Sequence, residues 1–485
     1  MKKLCELMSF PLADDVGRQP VAALSDHSQN ITAGSMFFAL NGTVANGRDH
    51  VAEAVANGAA YIVADGEGSS GRIQVNDGVV YIFVQDARAE LASAAAKFYE
   101  SDFDHMVAVT GTNGKSSTVD IMRQIWGSCR MKGASIGTLG VIFGENHERL
   151  PNNLTSPGAL ELHKILNRLW TAGVRNIAIE ASSHGLIQRR LDGIAFDVCA
   201  FTNFTQDHLD YHGTLDGYWR AKERLFAEVA QPDAVFVVNS DDPRRREIYE
   251  IAAVRKIKCL DYGYRANDVK IIKIEQNNEN QRTEASFFGK KISFVLPLQG
   301  AFQVYNSLCA AAICRVAGVE VEDIFDGLSR LRQIDGRLEL IAKKKSAGIY
   351  VDYAHSPDAL KSALLSLRSI TKNRIITVFG CGGDRDRSKR PLMGKIAEEF
   401  SDVVIVTNDN PRTENPVQIR RMILEACATA IEIADRKDAI ESAMGMLEDG
   451  DSLLVAGKGH ENYQQIGNDT LHFSDREIIL DGARR

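Results

Sequence analysis

Three things are missing from the sequence, and each absence removes a class of function. No apolar run approaches the roughly 18 residues that a membrane-spanning helix needs, so no membrane partner is expected. The eight cysteines include no C-x-x-C pair; the closest, Cys309 and Cys314, have four residues between them. That spacing suits reduced thiols used as small apolar groups in a cytoplasmic protein, not a disulfide framework or a redox pair. Surplus positive charge is absent too. The net charge is −7, which argues against nucleic acid or an anionic membrane surface as the main partner. There is no internal repeat and no low-complexity segment. Met1-Lys2-Lys3 looks like the start of a signal peptide, but Glu6, Asp14 and Asp15 follow with no long apolar stretch between them, so no leader is expected.

What is present is enough for sizeable cores. Of 485 residues, 44% are hydrophobic and 25% charged, and a chain of this length folds as about two to four domains. The stretch around which the rest is organised is His105 to Ser117. A short apolar run (Met106 to Val109) ends in Thr110, followed by Gly111-Thr112-Asn113-Gly114-Lys115-Ser116-Ser117. Val119, Ile121, Met122, Ile125 and Trp126 then recur at helical spacing. This reads as strand, glycine loop and helix N-terminus. Glycines let backbone N–H groups approach phosphate oxygens, and the helix N-terminus adds partial positive charge. Lys115 would reach the outer phosphates, and the Ser116 or Ser117 hydroxyl would bind Mg²⁺. The common phosphate loop needs a glycine five residues before Gly114, where Val109 stands; the match is to a shorter form, GTNGK[ST].

Residues 1–98 alternate short strands (60–64, 79–84) with helices (51–57, 88–99), a small α/β unit. Its polar turns around Ser28 and Asn41 suit a ligand's sugar or base, or are plain loops. In residues 99–333, a strand at 176–179 leads into Glu180-Ala181-Ser182-Ser183-His184-Gly185. Another at 196–201 opens onto Thr202-Asn203-Phe204-Thr205-Gln206-Asp207-His208. Open α/β sheets bind ligands just past the carboxyl ends of parallel strands, so Glu180 and His208 are candidate Mg²⁺ ligands; each is also readable as a loop hydrogen-bonder. A helix spans 218–226, with Lys222 three or four residues from Tyr218, Trp219, Leu225 and Phe226, on the apolar stripe. A lysine there snorkels outward or is desolvated into a neutral amine able to take up CO₂ as a carbamate. Spacing alone favours snorkelling. A further helix is expected at 303–317.

Residues 334–485 again alternate strands (349–352, 374–379, 403–407, 452–455) with helices, which implies a parallel, doubly wound sheet. Charged clusters follow these strands: Asp352 to Asp358, Gly380 to Arg387, Asp409-Asn410-Pro411-Arg412, and Gly457-Lys458-Gly459-His460-Glu461. A dinucleotide fingerprint near Gly380 is excluded, because G-x-G-x-x-G breaks at Arg385. Arg385 and Arg412 would clamp carboxylates, while Asp409 and Glu461 would hold ammonium groups, together reading an amino-acid-like ligand.

Nine short motifs in this order, GTNGKSS, EASSHGLIQRRLDG, TNFTQDHLDYHGT, YWRAKERLF, GRLE, DYAHSPDAL, GGDRDRSKRPLMG, DNPRTENP and AGKGHE, resemble the Mur ligase family over essentially the whole chain. Within it they are most similar to the member that adds the third residue of the peptidoglycan stem peptide. The resemblance implies three α/β domains: a UDP-binding domain (1–98), a central parallel-sheet phosphate-loop ATPase domain (99–333) and a C-terminal Rossmann-like domain (334–485). It implies ATP-dependent amide formation: the D-Glu γ-carboxylate of UDP-MurNAc-L-Ala-D-Glu is phosphorylated, and the amine of a diamino acid displaces phosphate. Catalytic roles fall to Lys115, Lys222 and His208. Residues Gly111 to Ser117, with Asn306, Arg337, Asp352 and His355, serve ATP. Magnesium falls to Ser116, Glu180, His208 and a CO₂-derived carbamate on Lys222, which reverses the snorkelling preference. Ser28, Asn153, Thr155, Ser156, Ser182, Gln188 and Arg190 match positions that hold UDP-MurNAc-dipeptide. Arg385, Asp409, Asn410, Pro411, Arg412, Gly457 and Glu461 match the amino-acid pocket, and DNPR is the family's signature for meso-diaminopimelate over L-lysine. A monomeric cytoplasmic enzyme is implied, with a lysine-adding or folylpolyglutamate-type ligase as the alternative. The sequence departs from the family at His27-Ser28-Gln29, where the pattern is D-S-R, at Ser116 for the usual Thr, and at Gln303 for Asn.

Overall fold

The computed structural model describes residues 1–42, 46–66, 71–150, 154–277 and 280–484. They pack as two compact units. The first comprises Met1–Ala108, Lys132–Asp197 and Ala221–Ala234; the second comprises Val109–Met131, Val198–Arg220 and Val235–Arg485.

In the first unit, the strands Leu24–Ser25, Ser35–Ala39, Ala59–Asp65 and Val79–Val84 lie side by side in parallel, and Arg72–Asn76 adds an antiparallel edge. Ser35–Ala39 is buried on both faces, as its apolar run requires. The helix Ala87–Phe98 starts at Asp86, whose carboxylate accepts the Arg88 and Ala89 N–H groups, an N-cap worth about 1 kcal/mol. Leu91, Ala94 and Ala95 of that helix close over Phe38, Tyr61, Val63 and Ile82. The same unit holds the strand Gly133–Gly137 in parallel with Asn176–Glu180, so the carboxyl group of Glu180 stands at a strand end, as expected.

His163 lies in the helix Ala159–Thr171 and is 3% exposed, and its Nε2 has no hydrogen-bond partner among the described residues. Burial pushes its imidazole down to about 4, against a smaller opposing effect of the Asp192 backbone. The unfolded chain therefore takes up a proton near pH 6.5 that the folded chain refuses until about pH 4. Stability falls as pH drops through that window, by about 3 kcal/mol in all. His163→Leu is expected to flatten the fall, read from urea midpoints between pH 7 and pH 4; an unchanged slope would remove His163 from the acid response.

In the second unit, Val198–Phe201, Val235–Asn239, Lys258–Gly263 and Val269–Gln276 run in parallel. Two antiparallel strands not expected from the sequence, Gln281–Phe287 and Lys290–Leu296, extend this sheet. The expected helix at 303–317 is Ala301–Val316. The helix around Lys222 is longer than expected: Leu215–Arg224 is followed by a π-helical turn, Leu225–Val229.

The C-terminal part of the second unit has the expected doubly wound sheet. Ala347–Asp352, Ser452–Ala456, Ile375–Phe379 and Val403–Val406 are adjacent and parallel. The helices Pro357–Arg368, Lys389–Phe400 and Pro416–Leu424 pack on one face, and Arg436–Gly445 and Asp475–Ala483 on the other. Glu339–Lys344 adds an antiparallel edge. Because the four inner strands run in parallel, the four charged clusters leave them at one edge.

Candidate active site

The strand His105–Thr110 delivers the chain to Gly111, at φ +148°, and Gly114 caps the helix Lys115–Ser128 at φ +88°. A Cβ at Gly111 would collide with the Thr202 hydroxyl, and one at Gly114 with the Asn306 amide oxygen. Both positions thus need glycine for its conformation and for the space it leaves. The loop is braced from the end of the strand Val198–Phe201. Thr202 Oγ1 donates to the Asn113 carbonyl at 2.6 Å, the Asn113 N–H donates to Asn203 Oδ1 at 2.9 Å, and the Thr112 N–H donates to the Asn203 carbonyl at 2.8 Å. Lys115 Nζ donates to the Gly111 and Thr112 carbonyls, each at 2.8 Å, so its ammonium lies over the loop it was assigned to. Thr202 and Asn203 carry no role in the sequence reading, although they stand inside the quoted TNFTQDH motif.

Residues from the C-terminal part of the second unit reach this loop. Arg337 Nη2 donates to Ser116 Oγ at 2.7 Å, and Asn113 Nδ2 donates to Asp358 Oδ2 at 3.1 Å. The Arg337 guanidinium stacks on Tyr353, 4.7 Å from the ring centroid. Asp352 accepts the Leu338 and Ala354 N–H groups. Burial pushes its carboxyl up to about 6 despite Arg337. Asp207, also without an assigned role in the sequence reading, lies between two imidazoles: its Oδ2 is 3.5 Å from His208 Nε2 and 3.6 Å from His355 Nε2. Burial works against its charge, yet His355, His208 and Lys389 hold the carboxyl well below the usual range. His208 takes φ +53°, a left-handed conformation that a non-glycine residue adopts at some cost. The structure therefore brings together Gly111 to Ser117, Asn306, Arg337, Asp352, His355 and His208.

At the sheet edge of the same unit, Arg412 (φ +50°) donates from Nη1 to the Gly383 carbonyl at 2.7 Å. Burial and the like charge of Arg412 lower the Arg385 guanidinium, so two cations share one neighbourhood. Asn410 Nδ2 donates to Glu461 Oε2 at 2.9 Å, and Lys458, which is fully buried, donates to Asn410 Oδ1 and Glu461 Oε2, both at 3.1 Å. Asp409 Oδ2 is buried without a hydrogen-bond partner among the described residues and abuts Gly457, where a Cβ would sit 2.6 Å from it. Cationic and anionic groups thus sit side by side, as a zwitterionic ligand requires.

The first unit holds a second polar network. Glu180 Oε1 accepts the Thr138 N–H at 2.7 Å, and Thr138 Oγ1 is 3.0 Å from Thr155 Oγ1. Ser156 Oγ donates to the Glu180 carbonyl at 2.8 Å and lies 2.9 Å from Ser182 Oγ. Arg190 donates from Nη1 to the Ser156 carbonyl at 2.6 Å and from Nη2 to Gln188 Oε1 at 2.7 Å. Thr155, Ser156, Ser182, Gln188 and Arg190 are thus one connected group; Thr138, which joins it to Glu180, had no signal beyond a polar residue after a strand. Asn153 lies outside the described residues. Ser28 is buried, and its hydroxyl donates to Glu53 Oε2 at 2.6 Å. Lys222 is 1% exposed, which excludes the snorkelling reading.

Of the magnesium ligands expected from the sequence, the Glu180 carboxylate belongs to the first unit, and the Ser116 hydroxyl and the His208 imidazole to the second. Among the described residues no group of three or more His, Cys, Asp or Glu side chains gathers to hold a metal ion.

Comparison with known proteins covers nearly the whole sequence. The model of the Mur ligase family catalytic domain matches residues 21–99, the Mur ligase middle domain residues 109–314, and the Mur ligase glutamate ligase domain residues 336–459. The UDP-N-acetylmuramoyl-L-alanyl-D-glutamate--2,6-diaminopimelate ligase of Chelativorans sp. (strain BNC1) is 44% identical over 472 residues, 97% of this chain and 96% of the relative. The protein of the same name from Mesorhizobium japonicum is 44% identical over 465 residues, 96% and 95% of the two chains. A solved structure of a UDP-N-acetylmuramoyl-L-alanyl-D-glutamate--2,6-diaminopimelate ligase superposes with a TM-score of 0.72 at 30% identity, covering 100% of this chain and 99% of that one. With its braced phosphate loop and doubly wound C-terminal sheet, this chain belongs to the Mur ligase family of ATP-dependent ligases.

Proposed function

We propose that the chain joins meso-2,6-diaminopimelate to the D-Glu γ-carboxylate of UDP-MurNAc-L-Ala-D-Glu, an amide ligation of peptidoglycan precursor synthesis, as a cytoplasmic monomer. The observation that carries this reading is the Asp409-Asn410-Pro411-Arg412 loop, its guanidinium beside Arg385 and its carboxylate beside Gly457. The names of the relatives at 44% identity support it. The division into 1–98, 99–333 and 334–485 belongs to the same proposal: nucleotide-sugar, ATP and amino acid each have their own domain.

A carboxylate is a poor electrophile. Transfer of the ATP γ-phosphoryl group to a γ-carboxylate oxygen creates an acyl phosphate. The free amine of the amino acid then attacks the carbonyl carbon, a C–N bond forms, phosphate departs with its C–O bond and the amine loses a proton. Gly111 to Ser117 cradle the phosphates, and Lys115 balances charge as it shifts between them. Asn306, Arg337, Asp352 and His355 complete the nucleotide site. Thr155, Ser156, Ser182, Gln188 and Arg190, with Asn153 and Ser28, hold the nucleotide-sugar dipeptide. Arg385 and Arg412 take the carboxylate of the amino acid's far end, and Asp409 and Glu461 its ammonium, with Asn410, Pro411 and Gly457 shaping the wall. Ser116, Glu180, His208 and a carbamate on Lys222 would hold magnesium, which supplies charge neutralisation at the phosphoryl oxygens when bound.

The test is phosphate release from ATP in the presence of UDP-MurNAc-L-Ala-D-Glu, with meso-diaminopimelate or L-lysine as acceptor. Release with diaminopimelate alone is expected. Equal release with lysine would keep the ligation and refute the reading of Arg412.

A further inference from the structure

Behind the sheet edge that carries Asp409 lies a buried ion pair with no assigned role. Arg436 and Asp475 are 1% and 0% exposed. The guanidinium grips the carboxylate with two arms, Nε to Oδ1 at 2.8 Å and Nη2 to Oδ2 at 2.7 Å. Nη2 also donates to the carbonyl of Ala456 at 2.9 Å. Ala456 is the last residue of the strand Ser452–Ala456, and the next residue, Gly457, is packed against Asp409. Arg436 Nη1 is buried with no hydrogen-bond partner among the described residues, as is Asp409 Oδ2.

A buried ion pair of this kind is weak evidence for stability, since desolvating both charges costs about as much as their attraction returns. Its use lies in where it places charge. Burial works against the Asp409 anion, but Lys458 and Arg436 are the two largest charges that favour it, and its carboxyl is held below the usual range. Arg436 and Lys458 face Asp409, Glu461 and Asp475, and Arg412 adds a third cation beside Asp409.

We propose that Arg436, clamped by Asp475, is a positioning residue of the amino-acid pocket. Through the Ala456 carbonyl it fixes where Gly457 and Lys458 leave the strand, and it holds Asp409 ready for the ligand's ammonium group. This rests on the pocket assigned under the proposed function. The groups facing Asp409 are Lys458 from the loop after Ser452–Ala456, Arg412 from its own loop, Tyr353, Cys381 and Arg436. Of these, only Arg436 changes in the test.

The experiment compares the full-length enzyme with the double variant Arg436→Met/Asp475→Leu, which replaces the pair by apolar groups of similar size, and with Arg436→Lys. The expected result is a double variant that melts within a few degrees of the parent, with KM for meso-diaminopimelate raised roughly tenfold or more and KM for ATP and for UDP-MurNAc-L-Ala-D-Glu unchanged. The acid limb of kcat/KM for diaminopimelate moves to higher pH, because Asp409 protonates more readily, and Arg436→Lys recovers part of both effects. A folded double variant with the parent's KM and acid limb would reduce the pair to a structural strut and overturn the proposal. Should the double variant fail to fold, Arg436→Lys decides alone: an unmoved KM and acid limb there refute it. A parent enzyme that releases no phosphate with diaminopimelate overturns the pocket itself, and the inference with it.

Discussion

Lys222→Ala is expected to lower ligation by roughly 10²-fold or more, the scale seen when one charge-stabilising group leaves a closed site. A short-chain carboxylic acid in the buffer should restore part of the loss. The physical basis is burial: Lys222 is 1% exposed at the end of the helix Leu215–Arg224, next to the π-helical turn Leu225–Val229. In the proposed reading the buried side chain reacts as its neutral amine, the form that attacks CO₂. The product is an anion at the end of a four-carbon stem, with the lost proton passing to solvent. Alanine removes the stem and the anion together, and an added carboxylate returns only the charge. Local π-helical turns cluster at functional sites, which agrees with a lysine held for chemistry. Turnover like the parent's, or a loss that no carboxylate relieves, would remove the carbamate from the reading.

Arg412→Asn should produce the largest change in choice of amino acid. The residue is at φ +50°, which asparagine tolerates better than most replacements, so the backbone of the loop survives. Its guanidinium is held by the Gly383 carbonyl, and Arg385 lies close enough to be depressed by the same charge. Two guanidinium groups side by side repel until an anion sits between them. Diaminopimelate brings a second carboxylate, and lysine does not. Removing one partner of a charged contact of this kind costs about 2–5 kcal/mol, or roughly 30-fold to several-thousand-fold in kcat/KM. The expected pattern is a fall of that size for diaminopimelate with no change for lysine, measured as phosphate release over a range of each acceptor. Turnover of diaminopimelate like the parent's would mean that Arg412 does not read the ligand.

The sequence made the parallel sheets legible because their strands are short continuous apolar runs broken by glycine and charge, as in Val403–Val406 and Ser452–Ala456. The antiparallel pair Gln281–Phe287 and Lys290–Leu296 was not legible. It alternates buried and exposed residues with lysine and glutamate on the outer side, a weak signal beside the asparagine-rich stretch that precedes it. The phosphate loop itself could be read from seven residues. Its bracing could not, because Thr202 and Asn203 are about ninety positions away from Asn113, and one sequence carries no record of such a pairing. Lys222 shows the limit of periodicity in another way. Helical spacing put it on the apolar stripe, but the choice between snorkelling and burial is made by packing that covers the ammonium end, which spacing does not describe. Asp207 is similar: TQDH offers a carboxylate and an imidazole, and only the fold adds His355 and Lys389.

The bracing of the phosphate loop bears on what can be transplanted. Gly111 to Ser117 looks like a portable cassette, a short peptide to be grafted wherever a strand meets a helix. In this molecule its shape is written in three separate places: the glycines themselves, the side chains of Thr202 and Asn203 that hold Asn113 and Thr112, and the amide of Asn306 above Gly114. A chimera that borrows only the seven residues would inherit the letters without their grammar. The smallest heritable unit of nucleotide recognition here is discontinuous, and recombination between relatives would have to carry all three pieces together.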